Sequence, residues 1–140
     1  MKLGRLNHVG VATPSIERSI ETYRTLLGAE AIGEPFDLPA QGVRVCFVDA
    51  PNTQVELIQP LNGESPIAGF IAKNPAGGQH HLCFEVPDIH AAVAELNETG
   101  ATVLGTPRIG AHGTPIIFVH PRNFGGVLVE LMEAPRGDHE

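Results

Sequence analysis

Residues 6–12, LNHVGVA, place apolar side chains at alternate positions, the period of a strand with one buried face. The pattern then changes. Ile16, Ile20, Tyr23 and Leu27 recur at steps of three or four, which is one face of a helix. Thr13-Pro14 offers a capping hydroxyl and a proline for the first helical turn, and Gly28 a left-handed stop. Strands are predicted next at about 29–32, 43–48 and 54–58. The same succession then recurs. Residues 80–86 alternate, Asp88 caps a helix with the face Ile89, Val93 and Leu96, and Gly100 stops it. Further strands are predicted at about 101–104, 115–120 and 126–132.

This recurrence extends to individual residues. When 6–35 is set against 79–107, His8 falls on His81, Pro14 on Pro87, Ile16 on Ile89 and Ile20 on Val93. After a one-residue gap, Gly28 falls on Gly100, Ala29 on Ala101, Ile32 on Leu104, Gly33 on Gly105 and Pro35 on Pro107. Near the ends of the halves, VELIQP lies on VELMEAP and Glu56 on Glu130. A duplicated unit is the reading, with modules at about 1–65 and 77–135 and a linker at 66–76, within a single domain over 1–140. The fold class is α+β, each module running strand, helix and then three strands.

Composition removes several function classes. Nine Lys+Arg against 16 Asp+Glu give a formal charge of −7, which argues against nucleic-acid binding because neutralising phosphates needs a basic face. No apolar run reaches the roughly 18 residues of a membrane helix, and the start MKLGRLNHVG has no secretory apolar core. The two cysteines, Cys46 and Cys83, stand apart without a CxxC pair, so neither a disulfide framework nor a thiolate zinc site is expected. Two buried, reduced thiols in a cytoplasmic protein fit this pattern.

Sorting each strand by alternation places Val9 and Val11 on one face and His8 on the other. Val55 and Leu57 oppose Glu56. Leu82, Phe84 and Val86 oppose His81, Cys83 and Glu85, and Val127, Val129 and Leu131 oppose Leu128 and Glu130. One apolar set per strand must cover the helices, so His8, Glu56, His81 and Glu130 project to the helix-free face. If a pseudo-twofold axis relates the modules, the two faces enclose a cleft with one His and one Glu from each half. Such a set could hold a divalent ion and leave two neighbouring octahedral positions open. Mixed nitrogen and oxygen ligation suits Mn, Co, Fe, Ni or Zn. His80 is assigned a structural role, and His139, in the tail, none.

With these residues in place, the chain resembles the vicinal-oxygen-chelate superfamily of paired βαβββ modules, and within it the methylmalonyl-CoA epimerase family. The resemblance rests on LNHVGVATP (6–14), PLNGESPIAGFI (60–71), GGQHHLCFEV (77–86) and IGAHGTPIIFVHPRNFGGVLVEL (109–131). It implies metal positions at His8, Glu56, His81 and Glu130, with Co²⁺ or Mn²⁺ favoured and Ni²⁺, Fe²⁺ or Zn²⁺ also fitting. It implies interconversion of (2R)- and (2S)-methylmalonyl-CoA by proton abstraction at C2, with the enolate stabilised by the metal and Glu130 as a catalytic acid/base. A homodimer is implied as well.

The family's second carboxylate falls at Val45, which cannot move a proton. Glu85, His120 and Glu56 are then the candidates by type, while Arg44 is a poor base. Lys73, Arg108 and Arg122 are candidate cations for coenzyme A. Two rival readings share the fold. Lactoylglutathione lyase (glyoxalase I) uses the same ligand types on a glutathione hemithioacetal, and a metal-free small-molecule binding protein has no use for four ligands.

Overall fold

A computed structural model describes residues 1–135. Eleven strands and helices follow one another along these residues: β1 (Leu6–Ala12), α1 (Ile16–Leu27), β2 (Phe36–Leu38), β3 (Val43–Asp49), β4 (Gln54–Pro60), α2 (Ala68–Lys73), β5 (Gly78–Val86), α3 (Ile89–Glu98), β6 (Val103–Ile109), β7 (Pro115–Val119) and β8 (Val129–Glu133). The described residues fold as two compact units, one spanning His8–His80 and the other combining Met1–Asn7 with the described residues from His81.

In the His8–His80 unit the strand order is β2-β3-β4-β1, with β1 parallel to β4 and the other pairs antiparallel. Its core joins Ile16, Cys46, Val48 and Leu57, with Val11, Ile20, Tyr23 and Val55 packed around them. Val11 of β1 and Val55 and Leu57 of β4 thus meet Ile16, Ile20 and Tyr23 of the predicted α1 face, while Leu27, expected on that face, is 74% exposed. In the other unit the order is β5-β8-β7-β6, again with one parallel pair, β5 with β8. There Val86, Ile89, Ala92, Ile117, Val129 and Leu131 form the core under α3.

Several local expectations are corrected. Ser15, not Thr13, caps α1, accepting the Arg18 N–H at 3.2 Å. Thr13 Oγ1 accepts the Ser15 N–H at 3.1 Å instead, so Pro14 lies in the turn before the helix. Gly28 stops α1 in the left-handed region as expected. In α3 the last capping residue is Thr99, with Gly100 left-handed one position later. The strand expected at 29–32 reduces to a single bridge, Ile32 to Val48, and Phe36–Leu38 pairs with β3 in its place. The segment 66–76 contains the short helix α2 and packs within the His8–His80 unit. Strand β6 runs on to Ile109 through a register shift between Leu104 and Arg108.

The repeat also extends to two glycines. A Cβ on Gly4 would meet the Glu85 carbonyl oxygen at 2.8 Å, and one on Gly77 the Ala12 carbonyl oxygen at 2.4 Å. Gly4 and Gly77 are 73 positions apart, as are Ala12 and Glu85. Each unit therefore presses a glycine backbone against the end of a first strand, where a larger residue cannot fit.

Candidate functional site

In the His8–His80 unit, β1 places His8 and β4 places Glu56 on the face away from α1. His8 is 1% exposed and Glu56 7%, with His8 Nε2 3.7 Å from Glu56 Oε1. The register sets Glu56 opposite Phe47 and Ile58 opposite Val45, so Val45 lies two residues along the same face from Glu56. That side chain is 1% exposed and has no titratable group.

In the unit that starts again at His81, the second copy of the pair is tighter. His81 Nε2 lies 3.0 Å from Glu130 Oε1, both side chains buried. Glu130 faces Cys83 on one side and Phe118 on the other in the strand register. Cys83, Ile116 and Met132 form the apolar floor of this face, with Phe118 packed on them. The edge of the His81 ring meets Phe118, with centroids 5.5 Å apart and planes at 88°. Two imidazole–carboxylate pairs are therefore each buried on the helix-free face of their own unit, as the alternation of the strands predicts. Burying a carboxylate is costly unless partners compensate, so such pairs point to a functional face. Imidazole nitrogens and carboxylate oxygens are ligand types that could hold a divalent ion.

The remaining candidates separate clearly. Glu85 is buried, and its Oε2 accepts from Arg5 Nε and Asn7 Nδ2, both at 2.8 Å, which ties the N-terminal arm to β5. His120 caps the short turn Pro121–Phe124, its Nδ1 accepting the Arg122 N–H at 3.0 Å. Arg44 is bound to Asp37 and Glu17, each at 3.2 Å. Arg122 donates to the Thr102 hydroxyl. Lys73 is exposed in the last turn of α2. His80 packs edge-on against Phe70 of α2 at 5.2 Å, the structural place expected of it. Arg108, by contrast, lies over the Phe118 ring, 5.4 Å from its centroid. His139 is outside the described residues.

Comparison with known proteins adds the lineage. The profile described as the Glyoxalase/Bleomycin resistance protein/Dioxygenase superfamily matches residues 7–118. The chain belongs to this superfamily. Among its members, the ethylmalonyl-CoA/methylmalonyl-CoA epimerase of Cereibacter sphaeroides is 56% identical over 131 residues, covering 92% of this chain and 97% of that protein. The mitochondrial methylmalonyl-CoA epimerase of Bos taurus is 54% identical, over 94% of this chain and 75% of that one. A methylmalonyl-CoA epimerase variant from Streptomyces coelicolor, solved in complex with 2-nitronate-propionyl-CoA, superposes with a TM-score of 0.85 at 31% identity. That match covers 95% of this chain and 99% of the other. No helix of the described residues is long and apolar enough to cross a membrane.

Proposed function

We propose that this chain epimerises methylmalonyl-CoA, exchanging the C2 hydrogen between the 2R and 2S forms. The observation that carries the reading is the repeated buried pair, His8 with Glu56 and His81 with Glu130, in a chain whose relatives are named for this reaction.

The C2 hydrogen sits between a thioester and a carboxylate and is weakly acidic. Its removal leaves negative charge on the thioester oxygen, and inversion requires a proton to leave one face and return on the other. Glu130 takes that proton at its carboxylate, oriented by the His81 contact at 3.0 Å. Glu56, the repeat mate of Glu130, returns a proton on the opposite face. That assignment fits Val45, which removes the carboxylate the family otherwise places on the Glu56 side, and the commitments of Glu85 and His120 elsewhere. The apolar floor under Glu130 keeps water from competing for the proton. His8, Glu56, His81 and Glu130 would hold a divalent ion, with Co²⁺ or Mn²⁺ the preferred occupants, and that ion would supply Lewis-acid stabilisation of the developing charge. An acyl-CoA substrate, a homodimeric assembly and a cytoplasmic location complete the reading.

The test is deuterium exchange into C2 of (2S)-methylmalonyl-CoA in heavy water. Exchange that collapses in Glu130→Ala supports the assignment. Exchange at the wild-type rate removes Glu130 from its role.

A further inference from the structure

The unit that carries Glu130 also carries a cation in an unusual setting. Arg108 is exposed, and no carboxylate of the described residues pairs with it. Its guanidinium lies on Phe118, the residue that faces Glu130 in the strand register and touches His81 edge-on. A single aromatic ring thus separates a free positive charge from the buried imidazole–carboxylate pair. The backbone is arranged to put it there. Leu104 faces Phe118, so an unbroken ladder would bring Thr106 opposite Ile116. The register shift, which contains the left-handed Gly105, brings Arg108 instead. Extra residues in a strand commonly re-aim a side chain in this way beside active sites.

A guanidinium held over an aromatic ring keeps its planar fork of N–H donors, a shape that matches the two oxygens of a carboxylate. On the epimerase reading, on which this step rests, the anion nearest the reacting carbon is the free carboxylate of the acyl group. The phosphates of coenzyme A lie at the far end of the pantetheine arm. We propose that Arg108, seated on Phe118, binds the acyl carboxylate and selects malonyl-type thioesters over simple acyl thioesters. It is a specificity residue, distinct from the cation for coenzyme A that its sequence position alone suggests.

Calorimetric titration of the wild-type protein, Arg108→Gln and Arg108→Lys with malonyl-CoA, propionyl-CoA and free coenzyme A tests this. Arg108→Gln should weaken malonyl-CoA about tenfold and leave the other two within about twofold, the size of one charge-assisted bidentate contact. Arg108→Lys should fall between, because it keeps the charge and loses the fork. Equal weakening of all three ligands by Arg108→Gln would overturn the proposal in favour of phosphate binding. Unchanged binding of all three would overturn it in favour of simple packing. If the wild-type protein neither prefers malonyl-CoA to propionyl-CoA nor exchanges C2 deuterium, the epimerase reading and the Arg108 assignment both fall. Intact exchange with an unchanged preference in Arg108→Gln removes the Arg108 assignment alone.

Discussion

Glu130→Gln removes one negative charge and one proton acceptor while keeping nearly the same shape. Glu130 is 6% exposed and meets His81 at 3.0 Å, so the substitution acts inside a closed environment with little water to compensate. In the metal-free protein the amide oxygen of Gln can still accept the His81 N–H, so a stability loss of about 1 kcal/mol or less is expected there. Glu130→Ala deletes that acceptor altogether and should cost about 1–3 kcal/mol, a fall in Tm of about 3–10 °C for a chain of this size. Losing the proton acceptor should slow C2 exchange by roughly 10²–10⁴-fold in both variants, about 3–5 kcal/mol of barrier. Thermal melts followed by circular dichroism give the first quantity. Loss of the C2 proton signal of methylmalonyl-CoA in heavy water gives the second. A folded Glu130→Gln protein that exchanges within a factor of about three of wild type would refute the assignment of proton transfer to this carboxylate.

The remaining predictions concern the scaffold. Gly77→Ala should cost about 3 kcal/mol or more in urea titrations, because its Cβ would lie 2.4 Å from the Ala12 carbonyl oxygen. Gly113→Ala, also at positive φ but with nothing within 4 Å, should cost about 1 kcal/mol, and equal losses would contradict the steric argument. Cys46 and Cys83 are both 0% exposed, and burial, partly offset by Arg44, raises the Cys46 thiol above its ordinary value. Iodoacetamide at pH 8 should therefore leave both unlabelled in the folded protein and label both in denaturant, as read by mass spectrometry.

Strand alternation made the faces legible. A period of two leaves only one way to bury Val55 and Leu57, or Phe84 and Val86, and that choice fixes where Glu56 and His81 point. The internal repeat made the same four residues stand out from other buried polar groups. What escaped the pattern was short or irregular. Thr13 and Ser15 are both good capping types, and only the backbone decides that Thr13 closes the preceding turn while Ser15 caps the helix. The helix α2, six residues between Pro66 and Pro75, is too brief for a helical period to register. Residues 29–32 have strand-like character but meet β3 at only one bridge, while FDL after Pro35 makes the ladder. The position of Arg108 depends on a register shift that no hydrophobic pattern encodes, so its place over Phe118 could not be anticipated from spacing. Glu85, plausible by type and face, proved to be held by Arg5 and Asn7 from an N-terminal arm whose docking the sequence does not announce.

The proposed function has the two His–Glu pairs share one ion. Metal-free protein titrated with Co²⁺, with bound metal counted after gel filtration, tests it directly. The account predicts one ion per chain, with retention severely weakened by His8→Ala and equally by His81→Ala. Two ions per chain, each lost with only its own histidine, or full retention in either variant, would contradict it.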